Sequence, residues 1–323
     1  MIGVALSTRD LVKRYGRRFA LDGFTLAVPQ GAVMGLVGPN GAGKTTWMMS
    51  VAGFVRPTSG TVDLLGKGPF NASLHSGRLA ILPQDSELPL EATPAALLFR
   101  YARLQGLSAA QAHASVDTVL AEMNLADRVN SPIRSLSHGM RKRVMLAQCF
   151  LGEPEVLLLD EPLNGLDPVE QDRMRRFILA RRGRQTVVVS SHNLNDIEIL
   201  CSHVAFVDKG KVMRMASVRA LTEEAGRLSY LLANVPAETM DMESALAQAL
   251  PGAKFTWQTA GEGRRTLVCT YEATVGTVAT VNRTVLPILL AHGDVLSVET
   301  GLSLEQAYLT NQTQKTSKDS RRR

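Results

Sequence analysis

Short apolar runs alternate with helical patterns over roughly the first 215 residues of the chain. The runs VMGLVG, VLLLD, TVVVSS and VAFVD are continuous and contain many β-branched residues. Such runs are typical of parallel strands that are buried on both faces of a sheet. Because strands that alternate with helices pair in parallel, the pattern predicts an α/β fold with a mostly parallel sheet.

A stretch at about 85–150 interrupts this alternation with helical signals. Thr93 followed by Pro94 has the pattern of a helix N-cap and first helical residue, and Ser108 with Gln111 forms a capping box for a second helix. An all-helical insertion in the sheet domain is therefore predicted. The apolar row expected on the first of these helices consists of Leu97, Tyr101 and Leu104.

After residue 220 or so the pattern changes to strand, helix, two strands about the turn GEG, helix and strand. This β-α-β-β-α-β order is typical of the split βαβ arrangement. We therefore predict a sheet domain at 1–220, a small α+β domain at 221–310 and a disordered basic tail at 311–323. Pro287 is expected to kink or shorten the second helix of the small domain.

The charge and cysteine content narrow the class of protein. The chain of 323 residues has a net charge of +6, but its last 13 residues alone carry +4. Nucleic-acid binding by the body of the chain is therefore not expected. The three cysteines are widely separated, without paired metal spacing, and the N-terminus lacks the pattern of a signal peptide. A cytoplasmic location is predicted.

The segment GPNGAGKTT at 38–46 follows a predicted strand and precedes a helix, which is the context of a phosphate-binding loop. Its glycines allow backbone N–H groups to surround the α- and β-phosphates. Lys44 is expected to reach the β- and γ-phosphates, and Thr45 to bind Mg²⁺. The predicted loop residues are Gly38, Pro39, Asn40, Gly41, Ala42, Gly43, Lys44, Thr45 and Thr46.

A second buried strand, in EVLLLDEP, ends in two carboxylates. Asp160 is expected to hold Mg²⁺ through its water shell. Glu161 is expected to lie nearer the γ-phosphate, as the general base for the attacking water. A solvated strand end is the alternative interpretation, which the preceding phosphate loop disfavours.

The stretch SLSHGMRKRV at 135–144 begins a predicted amphipathic helix at 139–151. Its first turn contains Arg141, Lys142 and Arg143, which is unfavourable at the positive end of a helix dipole unless an anion is bound. A helix N-terminus is also an anion site. A solvated basic turn is the alternative that these residues alone leave open.

Taken in order, these motifs resemble those of ATP-binding cassette (ABC) transporter nucleotide-binding subunits over about residues 4–220. LSHGM at 136–140 is similar to the signature motif of that family. The others are Walker A at 38–46, the glutamine of LPQ, Walker B at 156–161, NGLD at 164–167 and SSH, which ends in His192. The resemblance implies a P-loop cassette with a mostly parallel sheet, an antiparallel β part and the helical insertion.

The resemblance also implies roles for single residues. Tyr15 would stack on adenine, and Gln84 would contact Mg²⁺ and the attacking water and report the nucleotide state to a membrane subunit. His192 would contact the γ-phosphate. Asp167 would lie at the interface between two copies of the chain. Glu161, His192 and Gln84 are thus the expected catalytic set, and Thr45, Gln84 and Asp160 the expected Mg²⁺ set.

The signature motif departs from the usual family pattern. His138 and Met140 replace the usual glycine and glutamine, which puts fine geometry and rate in doubt. Ser137 and Gly139, which the family uses to contact the γ-phosphate, are present. The resemblance thus implies that two copies, or this chain and a homologous ATPase, close around two ATP molecules. Each ATP would lie between Lys44 of one copy and Ser137 of the other.

The resemblance further implies a separate transmembrane permease, which this chain would bind at the cytoplasmic face of the membrane. The LSxGM signature and the ending SLEQAYLTNQ resemble those of ABC-2-type exporters, so export is favoured over import. The alternative is a soluble ABC ATPase that acts on nucleic acid or ribosomes. Such proteins are expected to carry two cassettes or a long coiled coil, and neither occurs in this sequence.

Overall fold

The computed structural model describes residues 3–84, 86–223, 226–236, 239–260, 263–272 and 274–301. The chain divides into two compact units, Met1–Ala216 and Ser217–Arg323. Each unit has its own cluster of buried apolar side chains. The predicted tail at 311–323, the ending SLEQAYLTNQ and most of the GEG turn lie outside the described residues. The predicted domain boundary near residue 220 stays a prediction.

The first unit contains two sheets. Its strands are β1 (Val4–Tyr15), β2 (Arg18–Pro29), β3 (Val33–Val37), β4 (Ser59–Leu64), β5 (Leu79–Leu82), β6 (Val156–Asp160), β7 (Thr186–Ser191), β8 (His203–Asp208) and β9 (Lys211–Ser217). The six-stranded sheet has the order β5-β6-β7-β3-β8-β9, and its first five strands, from β5 to β8 in this order, pair in parallel with one another. β2-β1-β4 form an antiparallel sheet. The predicted α/β class with parallel and antiparallel parts is therefore confirmed.

The central strands of the parallel sheet contain continuous apolar runs because both of their faces are covered. All residues of β3 and β6 are buried. β7 lies between β6 and β3 and is parallel to both, so the carboxyl ends of the three strands meet at one edge of the sheet. The motifs that follow these strands are thereby brought together at that edge, where ligands bind in open α/β sheets.

The helices of the first unit are α1 (Lys44–Val51), α2 (Ala72–His75), α3 (Pro94–Leu104), α4 (Ala109–Glu122), α5 (His138–Gln148), α6 (Pro168–Leu179) and α7 (Leu194–Leu200). α1 packs between the two sheets through Trp47, which is fully buried. The Trp47 ring stacks on Phe24 of β2 with ring centroids 5.6 Å apart, and its Nε1–H donates to Thr8 Oγ1 at 3.1 Å.

The helical insertion has the predicted capping but a different buried face. Thr93 caps α3, and Ser108 and Gln111 form the capping box of α4. The apolar row predicted on α3 is wrong at Leu104, which is 80% exposed. Leu104 is exposed because it is the last residue of α3 and borders an open groove. The buried residues of α3 are Pro94, Leu97, Leu98 and Ala102.

The second unit consists of α8 (Val218–Glu223), β10 (Gly226–Ala233), α9 (Met240–Ala249), β11 (Lys254–Thr259), β12 (Arg265–Tyr271), α10 (Val278–Leu290) and β13 (Asp294–Thr300). Its antiparallel sheet has the order β11-β12-β10-β13, so the predicted split βαβ arrangement is confirmed. α10 continues past Pro287 to Leu290, so the proline does not end the helix, and the alternative that it kinks the helix stays a prediction.

The cysteines of the described chain are free and buried: Cys149, Cys201 and Cys269. Burial raises the pKa of the Cys149 thiol to about 12, which disfavours the reactive thiolate. Among the residues that the structure describes, no helix combines the length and the apolarity needed to cross a bilayer.

Candidate nucleotide-binding site

The loop that joins β3 to α1 is built around glycines that have no room for a side chain. A Cβ atom at Gly38 would lie 2.2 Å from the carbonyl oxygen of Val207. At Gly43, where φ is +109°, it would lie 2.6 Å from the carbonyl oxygen of Ala20. Gly43 is also the N-cap of α1 and supplies no side-chain cap. The N-terminus of α1 is therefore left for an anionic ligand, as the phosphate-loop prediction requires.

Lys44 is the buried cation of this loop, with an exposed fraction of 6%. Its Nζ donates to the carbonyl oxygens of Gly38 at 2.6 Å and Pro39 at 3.2 Å. Burial lowers the pKa of the Lys44 ammonium, and the carboxylates of Glu161 and Asp160 oppose that effect. The ammonium thus lies within the loop, close enough to interact with the two carboxylates at the end of β6.

Asp160 ends β6 with its carboxylate almost fully buried and doubly hydrogen-bonded. Thr45 Oγ1 donates to Asp160 Oδ2 at 2.5 Å, and Ser190 Oγ donates to Asp160 Oδ1. The hydroxyl and the carboxylate predicted from separate motifs are therefore in direct contact. Ser190 was missed as a site residue; its only signal is a polar residue near the end of the buried run TVVVSS.

Glu161 has a left-handed backbone conformation, with φ +49°. Such a conformation costs a residue with a side chain about 1–3 kcal/mol and is found at functional sites. The backbone N–H of Glu161 donates to Ser190 Oγ at 2.9 Å, which holds the strained residue in place. The left-handed backbone conformation of Glu161 ends the extended strand directly after Asp160.

Two side chains hold the Glu161 carboxylate. His192 Nδ1 lies 3.2 Å from Glu161 Oε2, and Asn164 Nδ2 donates to the same oxygen at 3.3 Å. The Glu161 side chain is 8% exposed, whereas that of His192 is 63% exposed. His192 thus reaches from Glu161 toward solvent, and the structure brings together two of the three residues of the predicted catalytic set.

A cleft of about 620 Å³ is bordered by Glu161, whereas His192 and Asn164 are not among its lining residues. Gln84 and Tyr15 border the same cleft as Lys44, although they belong to different motifs. The cleft is lined by Tyr15, Arg18, Ala20, Asn40, Gly41, Ala42, Gly43, Lys44, Thr45, Thr46, Gln84, Asp160 and Glu161. Arg18, which pairs with Tyr15 in the β1–β2 hairpin, was also missed. The cleft has the volume and the cations that a nucleoside triphosphate needs.

The oxygen atoms at the base of the cleft fit Mg²⁺. Hydroxyl, carboxylate and amide oxygens are the hard ligands that this ion accepts. Thr45 and Asp160 present two of them side by side, and Gln84 borders the same space. These three residues would hold the ion.

Ser137, Gly139 and Asp167 do not line this cleft. Ser137 is the N-cap of α5, where its Oγ accepts a hydrogen bond from Met140 N at 3.2 Å. A Cβ atom at Gly139 would meet only Leu166 Cδ2, at 4.0 Å. Asp167 caps α6 and accepts from Glu170 N at 3.0 Å. Ser137 and Asp167 are exposed, so these two residues are open to solvent outside the nucleotide cleft of their own chain.

Of the three basic residues near the start of α5, Arg143 has a carboxylate partner within the chain, and the expectation that a bound anion offsets this basic turn stays a prediction. Arg143 and Lys142 are buried. Arg143 Nε lies 3.2 Å from Glu170 Oε2, and its Nη1 donates to the carbonyl oxygen of Met123 at 2.7 Å. Arg141 Nε donates to the carbonyl oxygen of Leu136 at 3.1 Å. The helix also ends at Gln148, three residues earlier than predicted.

A glycine-rich loop before a helix, a buried lysine, a Thr–Asp contact and a strained glutamate at the carboxyl edge of a parallel sheet together define a P-loop ATPase. The sequence profile described as ABC transporter matches residues 21–164. Nod factor export ATP-binding protein I of Burkholderia lata is 34% identical over 218 residues, which cover 67% of this chain and 71% of that protein. The chain belongs to the ABC transporter family, as an ATP-hydrolysing, ATP-binding subunit.

Other relatives and solved structures agree. Nod factor export ATP-binding protein I of Ralstonia nicotianae is 33% identical over 227 residues, covering 68% of this chain and 70% of that protein. A solved ATP-binding subunit of an ABC transporter is 26% identical with a TM-score of 0.61, covering 67% of this chain and 91% of that one. An ATP-binding cassette solved as a dimer with ADP and Pi is 20% identical, with a TM-score of 0.60, and covers 66% of this chain and 99% of that one.

Proposed function

We propose that this chain is the ATPase of an exporter in which two copies close face to face around two ATP molecules. The observation that supports this arrangement is the separation of the predicted site residues into two groups. Lys44, Asp160 and Glu161 share one cleft, whereas Ser137 and Asp167 are exposed outside it. Closing two copies so that the α5 N-terminus of one meets the cleft of the other completes both sites.

The residues of the cleft divide the work of hydrolysis. Tyr15 stacks on the adenine ring, and Lys44 and the loop N–H groups bind the phosphates. Glu161 accepts the proton of the attacking water, while His192 contacts the γ-phosphate and holds Glu161. Thr45, Asp160 and Gln84 would hold Mg²⁺, and the ion would supply charge neutralisation for the phosphates.

Export as the direction of transport rests on the relatives and on the sequence resemblance to ABC-2-type exporters. Two relatives are named for the export of Nod factor. We extend the direction of transport, and not the cargo, to this chain, because the membrane subunit selects the cargo.

A groove along β5, the strand that precedes Gln84, is the proposed contact for the transmembrane permease. It is lined by residues of β5 and α3, among them Leu79, Ile81, Tyr101 and Leu104, and has a volume of about 310 Å³. Leu104 is 80% exposed there, and Gln84 follows β5 by two residues. An apolar helix of the permease in this groove would therefore contact the strand that leads to Gln84.

Leu104→Glu should detach the chain from its permease without affecting ATP binding, because it replaces an exposed apolar side chain of the groove with a charge. In membranes from cells that produce this chain and the polytopic protein of a neighbouring reading frame, we expect at least ~10-fold less bound chain, the effect of losing about 1.4 kcal/mol. Val4→Glu, at a site that is also exposed but lies on β1, is the control. Equal membrane binding by both variants would contradict the groove assignment.

A chain that ends at residue 220 should still bind ATP, because every residue of the cleft belongs to the first unit and the two units have separate cores. Isothermal titration with ATP, after circular dichroism has shown that the shortened chain is folded, provides the measurement. If the shortened chain folded but did not bind ATP, the second unit would have to contribute to the site.

A further inference from the structure

Helices α6 and α7 are joined by a buried ion pair that none of the sequence motifs includes. Arg175 Nε and Nη2 donate to Asp196 Oδ1 at 3.0 and 2.5 Å. The two side chains are 16% and 7% exposed. Burying a carboxylate and a guanidinium costs free energy unless their hydrogen bonds are satisfied, so a buried pair of this kind fixes the geometry around it.

The hydrogen bonds continue from Arg175 to the segment that follows Glu161. Arg175 Nη2 donates to Gln171 Oε1 at 3.2 Å, and Gln171 Nε2 donates to the carbonyl oxygen of Leu166 at 3.0 Å. Leu166 lies in the short connection between Glu161 and α6. In the same connection Asn164 reaches the Glu161 carboxylate.

The other end of the chain of hydrogen bonds is Asp196, which the backbone connects to His192. Asp196 lies in the first turn of α7, four residues after His192. His192 Nδ1 in turn lies 3.2 Å from Glu161 Oε2. Glu161, Gln171, His192 and Asp196 therefore surround one small cavity of about 80 Å³. The backbone between Glu161 and Leu166 and the backbone between His192 and Asp196 join these contacts into a ring that begins and ends at Glu161.

We infer that Gln171, Arg175 and Asp196 are positioning residues that hold His192 at its distance from Glu161. The inference rests on the proposed function, because it takes Glu161 as the general base. A packing role confined to the stability of α6 and α7 is the competing explanation. The two explanations differ in the expected rate of hydrolysis. If the ring positions His192, loosening the ring separates His192 from Glu161. Small misplacements of reacting groups cost up to about 10²-fold in rate.

Arg175→Met and Asp196→Asn should each lower kcat for ATP hydrolysis by at least ~10-fold while the Kd for ATP, measured by titration, changes less than about twofold. The expectation follows because neither residue lines the nucleotide cleft. Arg176→Met is the matched control: Arg176 is adjacent on α6 but pairs with Asp172 at the surface, with side chains 79% and 51% exposed. A normal kcat in both ring variants would overturn the inference.

The double variant Arg175→Met with Asp196→Leu separates positioning from stability. Replacing a buried ion pair with apolar side chains often restores stability, so its Tm should recover toward that of the wild type. A kcat that stays low at a recovered Tm supports positioning, whereas a kcat that recovers with the Tm overturns it. Arg175→Lys should give partial rescue, since it retains the charge but not the paired donors.

The inferred effect of the ring is on the contact between His192 and Glu161, and not on the contact of His192 with the γ-phosphate. In a Glu161→Gln background, Asp196→Asn should therefore cause little further loss of kcat, and a full additional ~10-fold loss would overturn the inference. Near-normal hydrolysis by Glu161→Gln alone would instead refute the proposed role of Glu161. The two failures are thus distinguishable.

Discussion

Glu161→Gln should slow ATP hydrolysis at least ~10²-fold and leave ATP binding intact, because a positioned general base contributes about 10²–10⁴ to the rate. The structure gives this residue three features that a base needs. Its carboxylate is buried beside the Walker motifs, its backbone is held in a strained conformation by Ser190, and His192 contacts its Oε2. Glutamine keeps the size and the hydrogen bond from Asn164 but accepts no proton. Steady-state phosphate release and ATP titration measure the two quantities.

Glu155→Gln is the matched control for this prediction. Glu155 directly precedes β6, at the end opposite Glu161, and pairs with Arg78 at the surface. The same chemical change there should leave hydrolysis near the wild-type rate. If Glu161→Gln also turned over ATP at a near-normal rate, another group would have to be the base.

Local sequence signals predicted the part of the fold that local physics determines. The continuous apolar runs specify strands covered on both faces, and the Ser108–Gln111 capping box specifies the start of α4. The phosphate loop was predictable because close backbone contacts leave no room for a side chain at its glycines, as at Gly38 and Gly43. Asp160 and Glu161 followed from their place at the end of a buried strand.

The remaining features depend on contacts between residues that are far apart in sequence. The buried position of Arg143 depends on Glu170, and the ring at Glu161 needs α6 and α7 to pack side by side. A helical pattern shows which residues share a face but not which partner covers that face. The same limit explains Leu104, whose spacing matched a buried row although its place at the helix end leaves it exposed.

A mixed pair of defective chains should recover the ATP-dependent dimerisation that each defective chain lacks on its own. Lys44→Ala removes the buried ammonium from the phosphate loop, and losing charge-assisted hydrogen bonds of about 1.5–3 kcal/mol each weakens ATP binding at least ~10-fold. Ser137→Arg places a large cation at the exposed N-terminus of α5. If each nucleotide lies between Lys44 of one copy and Ser137 of the other, either change made in both copies damages both sites. One Lys44→Ala chain paired with one Ser137→Arg chain concentrates both defects in one site and leaves the other intact.

Light scattering with ATP on a Glu161→Gln background, where the closed state persists, is the measurement for this prediction. Ser137→Arg also removes the cap of α5, which costs about 0.5–2 kcal/mol, so the Tm of this variant must show that it is folded. Ser135→Arg is the matched control, because Ser135 is also exposed, lies two residues earlier, and donates its hydroxyl only to Pro132 O among the described contacts. It should dimerise normally. Mixed dimers that form without ATP-dependent gain would show that Ser137 acts within its own chain, and the two groups of site residues would then need another explanation.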